Sequence, residues 1–410
     1  MQPDRKGENV NGPASAAPVY PMARSCPYHP PPGYAELEDG PVARVRLFDG
    51  RGAWLVTGYP EACAALGDGR LSVDRTRPDF PALAPGYTGP PKFRMFAGMD
   101  DPEHLVHRRL VLPHLTVRQV RKMRPVIERI VETTLEEMLR GEPHADLVAD
   151  FALPVSSLVI CELLGVPYAD HEFFQDRTLH RLDEDPSVAG KAVADLVAFL
   201  DQVVRAKRAD PGADLISVLA TESVATGVLS HDDLVGMAVL LLTAGHDTTA
   251  STIALGVLAF LEHPDQLAQL RSGSTLPPGA VDELLRFLTV TDVVTRRVAT
   301  SEFELGGRVI QAGDAVLVST AAANRDSSIF PEPDRLDLRR TGPRHLTFGH
   351  GSHVCVGQHL ARAELEVVLE RLFARVPGLR LDLPVGRLRL RPSFEVQGVR
   401  ELPVAWPGAG

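Results

Sequence analysis

The stretch GMAVLLLTAGHDTTASTIALGVLAFL, residues 236–261, decides the architecture. Its length and apolar character suggest a membrane span. Its centre argues otherwise: His246-Asp247-Thr248-Thr249 sits there, and an uncompensated acid at bilayer depth is costly. No other stretch resembles a span. We read residues 234–261 as a long helix through the core of a large soluble protein. Thr is a poor mid-helix residue, and its hydroxyl can bond the carbonyl one turn back. Ala244 and Gly245 have little side chain and would let something large approach the backbone. Two readings stay open. One is a kinked core helix with a satisfied polar cluster. The other is a ligand against Ala244-Gly245, with Asp247 and Thr248 handling protons beside it.

Working outward, apolar residues recur at helical spacing over 103–140, 150–164, 187–207, 278–287 and 357–376. Strand-like runs are shorter. They cover 42–48, 53–57 and 302–319, where Gly306-Gly307 reads as a hairpin turn, and residues 379–406 alternate like short strands. The fold class is therefore mainly α with a small β-rich region. A doubly wound α/β sheet is excluded, because strand and helix do not alternate. Residues 1–33, rich in Pro, Gly and Ala, read as a flexible N-terminal segment, with 34–410 as one domain. The Pro-rich loop 78–91, carrying Phe80 and Tyr87, is long enough to serve as a lid or binding segment.

The 410 residues carry a formal charge of −10, which argues against nucleic acid as the main partner. The four cysteines (Cys26, Cys63, Cys161, Cys355) are far apart and form no CxxC pair. Reduced thiols and a cytoplasmic setting follow as the default. No basic segment followed by an apolar run opens the chain, so we expect neither signal peptide nor membrane anchor.

The second informative segment is Phe348-Gly-His-Gly351-Ser-His353-Val-Cys355-Val-Gly357-Gln-His359, followed by a strong helical pattern. Cys355 thus sits just before a helix N-terminus, where partial positive charge and free N–H groups favour a thiolate. The glycines let backbone amides close around the sulfur and let a flat partner pack tightly. Inert packing is the ordinary fate of a lone cysteine. A nucleophile is a second option, but no base partner is evident. A thiolate as the only protein ligand of a metal points to haem, whose porphyrin fills the equatorial positions. Residues 339–362 hold four Arg, four His and no acid; residues 108–124 hold five Arg, one Lys and no acid. Such blocks in an acidic chain are either solvated faces or a docking surface for an acidic partner.

These residues resemble the cytochrome P450 haem-thiolate monooxygenases in their soluble bacterial form, over nearly everything from residue 34 to 406. The haem-loop pattern F-x-x-G-x-x-x-C-x-G is met by Phe348, Gly351, Cys355 and Gly357. The pattern A-G-x-D-T-T is met by Ala244, Gly245, Asp247, Thr248 and Thr249, and E-x-x-R by Glu283 and Arg286 with Arg335 as third member. Departures are small: Val356 replaces a common Leu, and Ser327 a usual Pro. The resemblance implies the family's helical prism, haem b held by Cys355 as axial iron ligand, and propionate contacts from His104, Arg108, Arg297 and His353. It implies that Asp247 and Thr248 deliver protons during oxygen activation. Glu283, Arg286 and Arg335 would form a charge network under the cysteine loop. O2 and an apolar small molecule would be the substrates. Ferredoxin and ferredoxin reductase would supply electrons, because no flavin or iron–sulfur domain is encoded.

Arginine dominates the basic residues, as in GC-rich actinobacteria, where this family tailors polyketides, macrolides and terpenoids by hydroxylation or epoxidation. Xenobiotic oxidation, a haem-thiolate sensor without turnover, and a peroxide-driven oxygenase are the alternatives. Pocket walls are expected from residues 78–97, 173–199, the face around Leu241 and Ala244, 291–295 and Phe394.

Overall fold

The computed structural model describes residues 17–37, 40–84, 94–181, 183, 185–273, 275–292, 295–391 and 395–408. Tyr87 with the second half of its loop, Phe394, and the first sixteen residues lie outside this set. The helices are α1 (Tyr59–Gly67), α2 (Glu103–Val111), α3 (Val117–Leu139), α4 (Leu153–Leu164), α5 (His171–His180), α6 (Pro186–Ala209), α7 (Leu215–Leu219), α8 (His231–Glu262), α9 (Pro264–Arg271), α10 (Ala280–Leu288), α11 (Thr320–Ala323) and α12 (Gln358–Arg375). The strands are β1 (Val42–Arg46), β2 (Gly52–Val56), β3 (Leu71–Ser72), β4 (His144–Asp146), β5 (Arg296–Ala299), β6 (Phe303–Leu305), β7 (Arg308–Ile310), β8 (Ala315–Val318), β9 (Arg380–Leu381) and β10 (Pro403–Ala405).

The helix expected over 234–261 is α8, which runs unbroken. It starts in a capping box: the Ser230 hydroxyl accepts from Asp233 N–H at 3.0 Å, and the Asp233 carboxylate accepts from Ser230 N–H. No described helix is long and apolar enough to cross a membrane. The helical run over 103–140 is broken into α2 and α3. Leu112–His114 forms a 3-10 turn there, Pro113 withholds an amide, and Thr116 caps α3. Among the described residues of 379–406 there are two short strands and an isolated bridge between Leu390 and Val399, fewer strands than the alternation suggests.

One apolar cluster runs from Phe96 to Val404 and draws on α3, α4, α6, α8, α10 and α12. Each fully buried aliphatic side chain there contributes about 1.5–3 kcal/mol. The β region is a sheet of order β1-β2-β8-β5-β3, parallel only between β2 and β8. It holds Arg296 and Arg297 on β5, both buried. The expected turn joins β6 to β7, with Gly306 at φ 53° and Gly307 at 75°.

Residues 17–33, expected to be flexible, are tied to this sheet. Tyr20 is buried, its N–H donates to Arg46 O at 2.9 Å, and Arg24 reaches Asp292. The Pro and Gly content hid an aromatic anchor.

Candidate functional site

The segment before α12 is folded around Cys355. Its N–H donates to Phe348 O at 2.8 Å, and Gly349 N–H to Leu346 O at 2.8 Å. Gly349 and Gly351 adopt φ of 76° and 73°, which other residues rarely take. At Gly351 a Cβ would lie 2.7 Å from Leu66 O, so this turn packs directly on the end of α1. Gly357 caps α12. Phe348 is half-buried, with the Arg362 guanidinium 4.5 Å over its ring.

The Cys355 side chain is open to a solvent probe, yet protein mass surrounds it closely enough for burial to raise its thiol pKa. The two facts together describe an internal recess. Opposing the burial, N–H groups of Gly357 and Gln358 and the charges of Arg108 and Arg362 favour the thiolate. The middle of α8 also carries accessible positions among buried ones. On α8, Ala244 is exposed and Thr248 half-exposed, while Leu242, Thr243, His246 and Asp247 are buried.

The basic side chains converge beside the loop. His104 and His353 stack with ring centroids 3.8 Å apart. His104 Nδ1 meets Asp101 Oδ1 at 2.9 Å, while its buried Nε2 has no partner. Arg108 Nη2 donates to Val354 O at 2.5 Å and pins the cysteine loop. Arg297 is buried on β5, where desolvation pushes its guanidinium down to about 10. Buried cations and an orphaned imidazole nitrogen fit a bound group that carries carboxylates. With the accessible thiol of Cys355 and the bare backbone at Ala244, this donor set fits a haem.

Three features differ from the sequence reading. Gly245 serves helix packing and not ligand approach, because a Cβ there would lie 2.6 Å from Ile160 Cδ1 of α4. The threonines bond back along the helix as expected, Thr248 Oγ1 to Ala244 O at 2.8 Å and Thr252 Oγ1 to Thr248 O at 2.7 Å. Asp247, however, does not stand with Thr248 alone. Its Oδ1 accepts from Arg391 Nη1 at 2.5 Å, a partner that no local pattern marks.

The third difference is a correction. Glu283 and Arg286 form a buried bidentate pair at 2.7 and 2.9 Å. Arg286 also donates to Asn324 O, Pro333 O and Arg335 O. The Arg335 side chain is not part of the network. It is 57% exposed and pairs with Glu332. Arg340, 11% exposed, takes that place, with Nε 3.1 Å from Glu283 Oε1. The spacing put an arginine in the right segment, but Arg335 contributes only its carbonyl.

The basic blocks are not uniformly free. Arg124 is engaged by Glu128, Glu366 and Glu370, and Arg362 by Asp282 at 2.8 Å. Arg109, Arg118, Arg121 and Lys122 are exposed, interleaved with exposed Val106, Leu112 and Val117.

The family model described as Cytochrome P450 matches residues 182–274 and 277–376. Vitamin D3 dihydroxylase of Streptomyces griseolus is 48% identical over 394 residues, spanning 95% of this chain and 97% of that relative. Pentalenic acid synthase of Streptomyces avermitilis is 45% identical, over 96% and 99%. The crystal structure of mycinamicin VIII C21 methyl hydroxylase MycCI from Micromonospora griseorubida, bound to mycinamicin VIII, superimposes with a TM-score of 0.91 at 41% identity, over 95% of this chain and 100% of that one.

Proposed function

The chain belongs to the cytochrome P450 family of haem-thiolate monooxygenases, and from that premise we propose that it oxidises a mostly apolar secondary metabolite of the polyketide, macrolide or terpenoid kind. The balance is R–H + O2 + 2 e− + 2 H+ → R–OH + H2O, or the corresponding epoxidation. The relatives support this class: their names state a dihydroxylation of vitamin D3, a methyl hydroxylation of mycinamicin VIII and the synthesis of pentalenic acid. The observation that carries the reading is the accessible Cys355 in its glycine loop, with the buried cations Arg108 and Arg297 and the orphaned His104 Nε2 beside it.

Residues 34–410, with the anchored segment 17–33, work as one catalytic domain. Cys355 would supply the thiolate that holds the haem iron, and Phe348, Gly351 and Gly357 shape the loop that presents it. His104, Arg108, Arg297 and His353 would hold the carboxylates of haem b. The cofactor, when bound, supplies the oxygen activation and the oxidation of the substrate. Ala244 lets the flat group approach the helix backbone. Asp247 and Thr248 move protons along α8. Glu283, Arg286 and Arg340 brace the segment that precedes the loop.

Redox partners deliver the two electrons. In our reading these are a ferredoxin and its reductase, and the exposed cations of α2 and α3 form the docking face with their interleaved valines and leucine.

The test is turnover under 18O2 with a surrogate ferredoxin system and a panel of macrolides and cyclic terpenoids. One labelled oxygen atom per product molecule is expected. Tight ligand binding with no NADPH consumption across the panel would instead favour a sensor.

A further inference from the structure

Asp247 is 3% exposed, and a carboxylate at that depth is costly unless it is paired. Its partner comes from the opposite end of the chain. Arg391 Nη1 donates to Asp247 Oδ1 at 2.5 Å and to Ser251 Oγ at 3.2 Å, one turn further along α8. The backbone of Arg391 is fixed as well, its N–H donating to Gly398 O at 2.9 Å. Gly398 leaves room for this arrangement: a Cβ there would lie 2.9 Å from Ser251 Oγ and 3.1 Å from Arg391 Cδ. The guanidinium is thus clamped between a glycine and the helix.

The carboxylate is held at one corner only. Asp247 Oδ2 is buried and has no hydrogen-bond partner. Two other charged or titratable groups act on it. His246, on the same helix, is buried with Nδ1 on Leu242 O, and burial lowers its pKa, so it stays neutral. Arg181, beyond the end of α5, acts on Asp247 through space. Arg181 is itself bridged to Glu395 at 3.2 Å, and Glu395 reaches Arg296 at 3.5 Å.

We propose that Arg391 is a positioning residue: it keeps Asp247 ionised and fixed by one oxygen, so that the other oxygen receives and releases the protons passed towards Thr248. The inference rests on the role proposed for Asp247 above. Without the guanidinium, burial would be opposed only by the more distant charge of Arg181 and by His246, and the balance at Asp247 would move towards the protonated acid. Electrons would then drain into O2 + 2 e− + 2 H+ → H2O2 in place of product.

The experiment compares the wild type with Arg391→Gln, Arg391→Lys and Asp247→Asn. Infrared difference spectra at pH 7 read the carboxyl directly, independent of turnover. Arg391→Gln should show a protonated carboxylic acid band that vanishes when Asp247→Asn is added; Arg391→Lys should not show it. The peroxide share of the NADPH oxidised should rise about tenfold in Arg391→Gln and recover in Arg391→Lys. A protonated Asp247 in the wild type, or an unchanged infrared spectrum in Arg391→Gln, overturns the proposal. Should Arg391→Gln fail to fold, the difference between wild type and Asp247→Asn decides alone: loss of an ionised carboxylate supports the proposal, and loss of a protonated one refutes it. Carbon-monoxide spectra of the same samples separate this outcome from a failure of the haem reading.

Discussion

His104 and His353 stack face to face, ring centroids 3.8 Å apart and planes 20° from parallel, although one opens α2 and the other precedes Cys355. The contact ties a distant helix to the cysteine loop and leaves His104 Nε2 buried without a partner. A haem carboxylate would satisfy that nitrogen. His104→Ala removes both the stack and the donor. We expect haem transfer to apomyoglobin to speed up roughly tenfold, in line with the cost of lost supporting contacts at metal sites. Wild-type transfer rates in the variant would remove His104 from the binding set.

The exchange of Arg335 for Arg340 has a sharp consequence for stability. Arg340→Ala takes one cation from the buried Glu283 carboxylate, which also accepts from Asp337 N–H at 3.0 Å. A loss of about 2–4 kcal/mol is expected in urea denaturation, since a buried charge loses part of its compensation. Arg335→Ala removes an exposed pair and should change stability by less than about 0.5 kcal/mol. Equal effects of the two variants would contradict the assignment.

Glu364, buried on α12, titrates in a window that ordinary carboxylates do not. Burial pushes it up to about 8 from 4.5, and its Oε1 has no partner. The folded state therefore holds a proton that the unfolded chain has released. That difference opens near pH 4.5 and is complete near 8, so this group lowers stability as pH rises through the window. Glu364→Gln should abolish the penalty. The gain in melting temperature over the wild type should be small at pH 5 and on the order of a few degrees at pH 8. A pH-independent difference would show that Glu364 does not titrate in this range.

The docking face can be separated from the scaffold. Arg109→Glu or Arg118→Glu changes exposed charge only, whereas Arg362→Glu would also break the contact with Asp282 at 2.8 Å. Reduction by ferredoxin in stopped flow should slow several-fold in the first two variants, more at low salt than at high, with haem spectra unchanged. Unaltered rates in both would place the partner elsewhere.

Much of the architecture was legible because it is written locally. The run 236–261 is too long for a strand and too polar at its centre for a membrane. The cysteine loop was legible because glycine spacing and a following helix are contiguous in sequence. What was hidden depends on contacts between distant segments. Arg391 approaches Asp247 across the fold, and nothing near residue 391 or residue 247 announces the pair. Gly245 beside Ala244 suggested space for a ligand, but only the crossing of α4 shows that Ile160 fills it. Arg335 and Arg340 lie five residues apart in one segment, and only the folded backbone shows which side chain turns inward.

The central claim is that Cys355 places a thiolate on haem iron. The most direct test is the carbon-monoxide difference spectrum of the reduced protein beside Cys355→Ser. The account predicts a strongly red-shifted band in the wild type that is lost in the variant. A folded wild type without haem, or a red-shifted band that survives in Cys355→Ser, would contradict it.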